Sequence, residues 1–94
     1  MSLRFEWNTE KAKQNLDKHN ISFEEAQTVF LDPLAAIMSD PDHSETEQRY
    51  IELGASARGR VLIVAYTERG SAIRIISARR ATRFERETYE ERRP

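Results

Sequence analysis

The sequence predicts an α+β domain, and three observations carry that prediction. Two short capped amphipathic stretches open the chain, an alternating and apolar middle follows, and a capped, highly charged helix closes it. Ninety-four residues suffice for one hydrophobic core and are too few for two, so residues 1–94 are read as a single domain.

Phe5-Glu6-Trp7 is a short β-prone start. Asn8 or Thr9 can then cap a helix over about residues 9–19, because a short polar side chain accepts from the orphan N–H groups of a first turn. Within it Ala12, Leu16 and His19 follow the i, i+4, i+7 spacing and share a face. Asn20 tolerates the left-handed conformation that closes a helix, and Ile21 can pack back over it. Ser22-Phe23-Glu24-Glu25 reads as a capping box opening a second helix, with Phe23, Ala26, Val29 and Phe30 on one face. That helix ends near Asp32, since Pro33 disfavours helical geometry in the residue before it.

The period then changes. Residues 34–39 are short and apolar, and Asp40-Pro41-Asp42 marks a turn. Residues 48–53 alternate, with Arg49, Ile51 and Leu53 on one face and Tyr50 and Glu52 on the other. Gly54 and Gly59 bracket a turn, and residues 61–66 are apolar throughout, as in a strand at a sheet centre. Glu68-Arg69-Gly70-Ser71 is a hairpin turn, and residues 72–78 return as a strand. The expectation is a meander of about four antiparallel strands. Thr82-Arg83-Phe84-Glu85 is a further capping box, opening a last helix whose apolar residues are chiefly Phe84 and Tyr89.

The net charge of −1 hides an asymmetry: residues 1–57 carry five basic side chains against eleven acidic ones, and residues 58–94 ten against five. All ten of those basic residues are arginine, whose planar fork of donors matches phosphate and carboxylate better than the point charge of lysine. With no cysteine, disulfides and thiolate metal sites are excluded. The longest apolar run, residues 61–65, falls far short of the roughly 20 residues a membrane-spanning helix needs. The N-terminus shows no basic segment followed by an apolar stretch, and the expected compartment is the cytoplasm. No Gly-rich phosphate loop, Cys/His cluster or nucleophile motif is present, so neither a cofactor nor a metal is expected.

The densest basic feature is residues 74–83. Strand alternation puts Arg74, Ile76 and Ala78 on one face, and Ile75 and Ser77 on the other. Arg79 and Arg80 sit at the strand's exit beside a helix N-terminus, where unpaired N–H groups favour an anion, so together they suggest a phosphate-sized site. The alternative is that these arginines pair with Glu85, Glu87 and other surface carboxylates. His19 reads either as a packed helix-end residue or as a site residue. His43, among Asp40, Asp42 and Glu45, reads as a solvated loop or as a weak metal set.

These residues also carry a resemblance. Phe5-Glu6-Trp7-Asn8, residues 15–26, Asp42-His43-Ser44-Glu45 leading to Arg49, Tyr66-Thr67-Glu68-Arg69-Gly70, residues 73–81, Glu85 and Tyr89 together resemble the BrnT toxins of bacterial type II toxin–antitoxin modules. Asn8 stands where the family usually has Asp, and Asn20 where it usually has Gly; both still suit a cap or a left-handed turn. The resemblance implies a RelE-like fold, ribonuclease activity that arrests growth, and a ribbon–helix–helix antitoxin. That antitoxin would mask the toxin in a hetero-oligomer and bind operator DNA.

A metal-free ribonuclease needs a base for the 2'-hydroxyl, cations for the phosphorane and an acid for the departing 5'-oxygen, and it leaves a 2',3'-cyclic phosphate. Arg49, Arg74, Arg79 and Arg80 are the candidate cations, and His19, His43, Glu45, Glu47, Tyr66 and Tyr89 the candidates for proton transfer. Lys18, Ser77, Arg83 and Tyr89 are the candidate RNA contacts. A second reading, from a different class, is a non-catalytic basic module that docks an acidic protein or a nucleic acid.

Overall fold

The structure, a computed structural model, describes residues 3–40 and 47–92. In chain order it contains β1 (Arg4–Glu6), α1 (Thr9–His19), α2 (Phe23–Gln27) running into a 3₁₀ turn (Thr28–Leu31), β2 (Ala36–Ser39), β3 (Arg49–Ala55), β4 (Val61–Arg69), β5 (Ala72–Arg80) and α3 (Arg83–Glu91). The expected α+β class and antiparallel meander are present as β2 to β5. A fifth strand, β1, joins parallel to β5, giving the order β1-β5-β4-β3-β2. Three residues pairing with a segment 68 positions away leave no local pattern to read, which is why the sequence suggested about four strands.

Local chemistry sets the helix ends. The Asn8 side chain accepts from the Lys11 N–H at 3.0 Å, and Asn20 closes α1 with φ 59°, its N–H returning to the Leu16 carbonyl. Ser22 caps α2 by accepting from the Glu25 N–H, but the expected reciprocal bond is missing because the Glu25 carboxylate turns inward to Arg60. At α3 both halves of the Thr82–Glu85 capping box form. Gly54 does not flank a turn as expected; it lies inside β3, where a Cβ would come within 2.9 Å of the Ala35 Cβ and 3.0 Å of the Val29 side chain. Gly70, with φ +59°, opens the two-residue hairpin between β4 and β5.

The sheet has two unlike faces. On one, α1 and α2 bury Ile21, Phe23, Ala26 and Val29 against Leu62, Val64, Ile75 and Ala78. Each of the larger side chains, alanines apart, contributes about 1.5–3 kcal/mol by leaving water. Trp7, Phe5 and Phe30 extend this core as edge-to-face ring contacts reaching Tyr66. Among the described residues the opposite face is covered at one end, where Tyr89 of α3 packs with Leu53 and Ile63.

Strict alternation fails in β5. Tyr66 opposes Ile75 and Ala65 opposes Ser77, so Ile76 is an extra residue and the strand bulges. Ile75 and Ala78 therefore lie together on the helix side, and Arg74 and Ser77 together on the other. This corrects the expected grouping of Arg74 with Ile76 and Ala78. Beyond the three β1 pairs the edge of β5 is held by Asn15 of α1. Its amide donates to the Ala78 and Ile21 carbonyls and accepts from the Ala78 N–H at 2.8–3.0 Å. Asn15 is buried, whereas Leu16, expected on the inner face, is 46% exposed.

Candidate nucleic-acid interface

The strand register places the candidate arginines. Arg49 of β3 opposes Thr67 of β4, which opposes Arg74 of β5, so two arginines flank a buried threonine in one row across the open face. Directly opposed residues have Cβ atoms about 4.5–5.5 Å apart, so the row spans roughly 10 Å. Thr67 is 1% exposed, and its hydroxyl donates to the Gln48 carbonyl at 2.7 Å, which ties the start of β3 to the row. Two residues on, Ile51, Ala65 and Ser77 form the next row; Ala65, in the middle of the central strand, is only half buried among the described residues. Leu53, Ile63 and Arg79 form the third row, about 13 Å along the strand from the first.

Arg74 is paired with Glu6, Nη1 to Oε2 at 2.8 Å, through the parallel pairing of β1 with β5. Sequence reasoning missed Glu6 as a neighbour of the row, because only that long-range pairing brings it there. Glu47, just before β3, pairs with Arg69 at 3.2 Å.

Arg79 and Arg80, expected to converge on one phosphate, are separated. Consecutive strand residues point to opposite faces. Arg79 faces α3, where both terminal nitrogens of its guanidinium grip Glu85 at 2.8 and 3.0 Å. The same carboxylate accepts the Thr82 N–H at 2.8 Å. Glu85 thus occupies the helix N-terminus that was expected to hold an anion, and Arg79 draws its carboxyl down to about 2. Arg80 is exposed and lines a different pocket at the end of the sheet.

The remaining candidates fall in three places. Tyr66 lies on the helix side, 5% exposed, stacked on Tyr50 and edge-on to Phe30. Burial, with the nearby charge of Glu52, pushes its phenol up to about 12, and the sheet separates it from the arginine row. Tyr89 is 4% exposed and donates to Asp32 at 2.5 Å, so it anchors α3, packing with Leu53 and Ile63 and lining a pocket with Arg80. Arg83 is exposed on α3 and pairs with Glu87 at 3.0 Å. Lys18 and His19, at the end of α1, line a shallow groove with Ile76 and Ser77 along the edge of β5. That edge is where the open face and the helix side meet. His43 and Glu45 lie outside the described residues; among the described ones no cluster of His, Asp and Glu is arranged to hold a metal. No helix is long and apolar enough to cross a membrane.

The comparisons with known proteins agree with this architecture. A crystal structure of the Brucella abortus ribonuclease toxin BrnT superposes with a TM-score of 0.67 at 20% identity, covering 87% of this chain and all of that one. At that identity the likeness shows the fold. No curated protein sequence matches the chain. The family described as "Ribonuclease toxin, BrnT, of type II toxin-antitoxin system" matches residues 7–85, which run from just after β1 into the first turn of α3 and include Arg49, Thr67, Arg74 and Glu85. The chain belongs to the BrnT family of ribonuclease toxins.

Proposed function

We propose that this toxin is a metal-independent endoribonuclease that cleaves mRNA on the open face of its sheet and so arrests growth. The observation that carries the reading is the row Arg49–Thr67–Arg74, two arginines held in register on a face that no described helix covers at that end. A phosphate bridging them meets two planar donor forks, and a phosphorane gains more from them than the ground-state diester because it carries more charge. Glu6, beside Arg74, is our choice to accept the 2'-hydroxyl proton. Arg79 extends the basic surface, and RNA passing over Ser77 reaches Lys18 and His19 around the edge of β5. The products are a 2',3'-cyclic phosphate and a free 5'-hydroxyl.

The partner in this reading is a ribbon–helix–helix antitoxin, which neutralises the toxin in a cytoplasmic hetero-oligomer and carries it to operator DNA. An apolar cleft supports a protein partner: Met38, Ile51, Leu53 and Ile63 line it with Phe84, which is 77% exposed.

The test is end-mapping of single-stranded RNA treated with the purified chain. Wild type should leave 2',3'-cyclic phosphate ends, and Arg49→Ala with Arg74→Ala should cut at least about 100-fold more slowly while unfolding at nearly the same denaturant concentration. Intact RNA, with no growth arrest on induction, would instead favour the non-catalytic binding module.

A further inference from the structure

At the far end of β5 lies a second basic pocket that the cleavage row does not use. It encloses about 400 Å³ between the β3–β4 turn, the exit of β5 and α3. Arg60, Arg80 and Arg86 form its walls with Glu90, over apolar Val61 and Tyr89. We propose that this pocket binds a backbone phosphate of the RNA strand, away from the bond that is cut. The proposal rests on the RNA reading above and adds a subsite to it.

The pairing pattern is the first support. Arg74, Arg79 and Arg83 each hold a carboxylate, as does Arg60. Arg80 and Arg86 have none among the described residues. Arg86 stands at i, i+4 to Glu90, the spacing at which Arg83 reaches Glu87 at 3.0 Å, yet it forms no such bridge. Two unneutralised guanidinium groups in one concavity repel each other unless an anion joins them.

The second support is rigidity. Arg60 is locked by Glu25, which takes its Nε at 2.9 Å and also its Nη2, and accepts the Ser56 hydroxyl at 2.7 Å. One wall is therefore fixed before any ligand arrives, which lowers the ordering cost of binding. The third is placement. β5 runs from Arg74 in the cleavage row to Arg80 in this pocket, six residues or about 20 Å, a span that an RNA strand covers with its repeated phosphates.

The experiment measures binding of a single-stranded RNA with 2'-O-methyl groups, which lacks the attacking hydroxyl, across a range of salt concentrations. Arg80→Ala and Arg86→Ala should each weaken binding about fivefold and lower the slope of log K against log salt by about 0.7, the share of one phosphate contact to a single strand. Glu90→Gln, which removes the pocket's carboxylate, should tighten binding. Both arginines are exposed on their elements, and thermal melting of each variant checks the fold. If wild type binds this RNA and the arginine variants keep its affinity and slope, the subsite is wrong while the RNA reading stands. If wild type binds no RNA, both fall. If the variants keep RNA but lose a co-expressed antitoxin, the pocket reads an acidic protein segment, and the phosphate assignment is overturned.

Discussion

The two faces of the sheet are built on opposite rules. On the helix side large apolar groups are sealed, and polar groups that enter are satisfied: Asn15 spends its amide on β5, and Glu25 is ringed by Arg60 and Ser56. On the open side apolar Ile51, Leu53 and Ile63 adjoin small Ala65 and Ser77, and the arginines there have partners that stand at the surface. Apolar burial is broad on the helix side and gathers on the other side at the end under α3. The other side is therefore able to carry charge that a packed layer would exclude.

Substitutions that unseal the helix side should cost most. Phe23, fully buried and edge-on to Trp7 at 5.9 Å, should lose about 3–5 kcal/mol on Phe23→Ala, read as the urea midpoint. Asn15→Ala comes next, at about 2–3 kcal/mol, because it leaves the Ala78 N–H and two carbonyls without partners inside the core. Hydrogen exchange should show the Ala78 amide losing protection first.

Glu52 tests the seal by titration. Burial, with the charge of Asp32, raises its carboxyl from 4.5 to about 7, so the folded chain holds a proton that the unfolded chain releases. The contribution of Glu52 to stability is fully present below pH 4.5 and declines as pH rises toward about 7. Glu52→Gln should remove that decline and stabilise the protein at pH 8 by about 1–3 kcal/mol. Equal slopes in the two proteins between pH 5 and 8 would sink this account. The open side should give the smallest response in stability. Arg74→Ala breaks a surface pair with Glu6, worth about 0–1 kcal/mol, although in the proposed mechanism it removes a cation from the cleavage row.

The sequence made the helix caps legible because a cap is a local event. Asn8, Ser22 and Thr82 each bond within three residues, and Asn20 needs only its own backbone. The meander was legible through the period-2 pattern of β3 and the turn at Gly70. What escaped was non-local. β1 finds its partner across most of the chain, the bulge at Ile76 answers packing of Ile75 and Ala78 on the helices, and Glu25 leaves its cap for an arginine 35 residues away. The same limit split the expected Arg79–Arg80 pair and hid Glu6. Charge density along a chain does not say which side of a strand each residue takes.

The grip of Arg79 on Glu85 has a consequence for any anion approaching that end of the sheet. Glu85 is both the resident partner of the arginine and the residue that closes the first turn of α3. A phosphate can take both terminal nitrogens of Arg79 in that geometry only by displacing the carboxylate, and displacement undoes half of the capping box. Ligand occupancy and helix order are thus linked with opposite signs, and the linkage is reciprocal. Whatever stiffens the start of α3 weakens the anion by the same factor by which the anion loosens the helix.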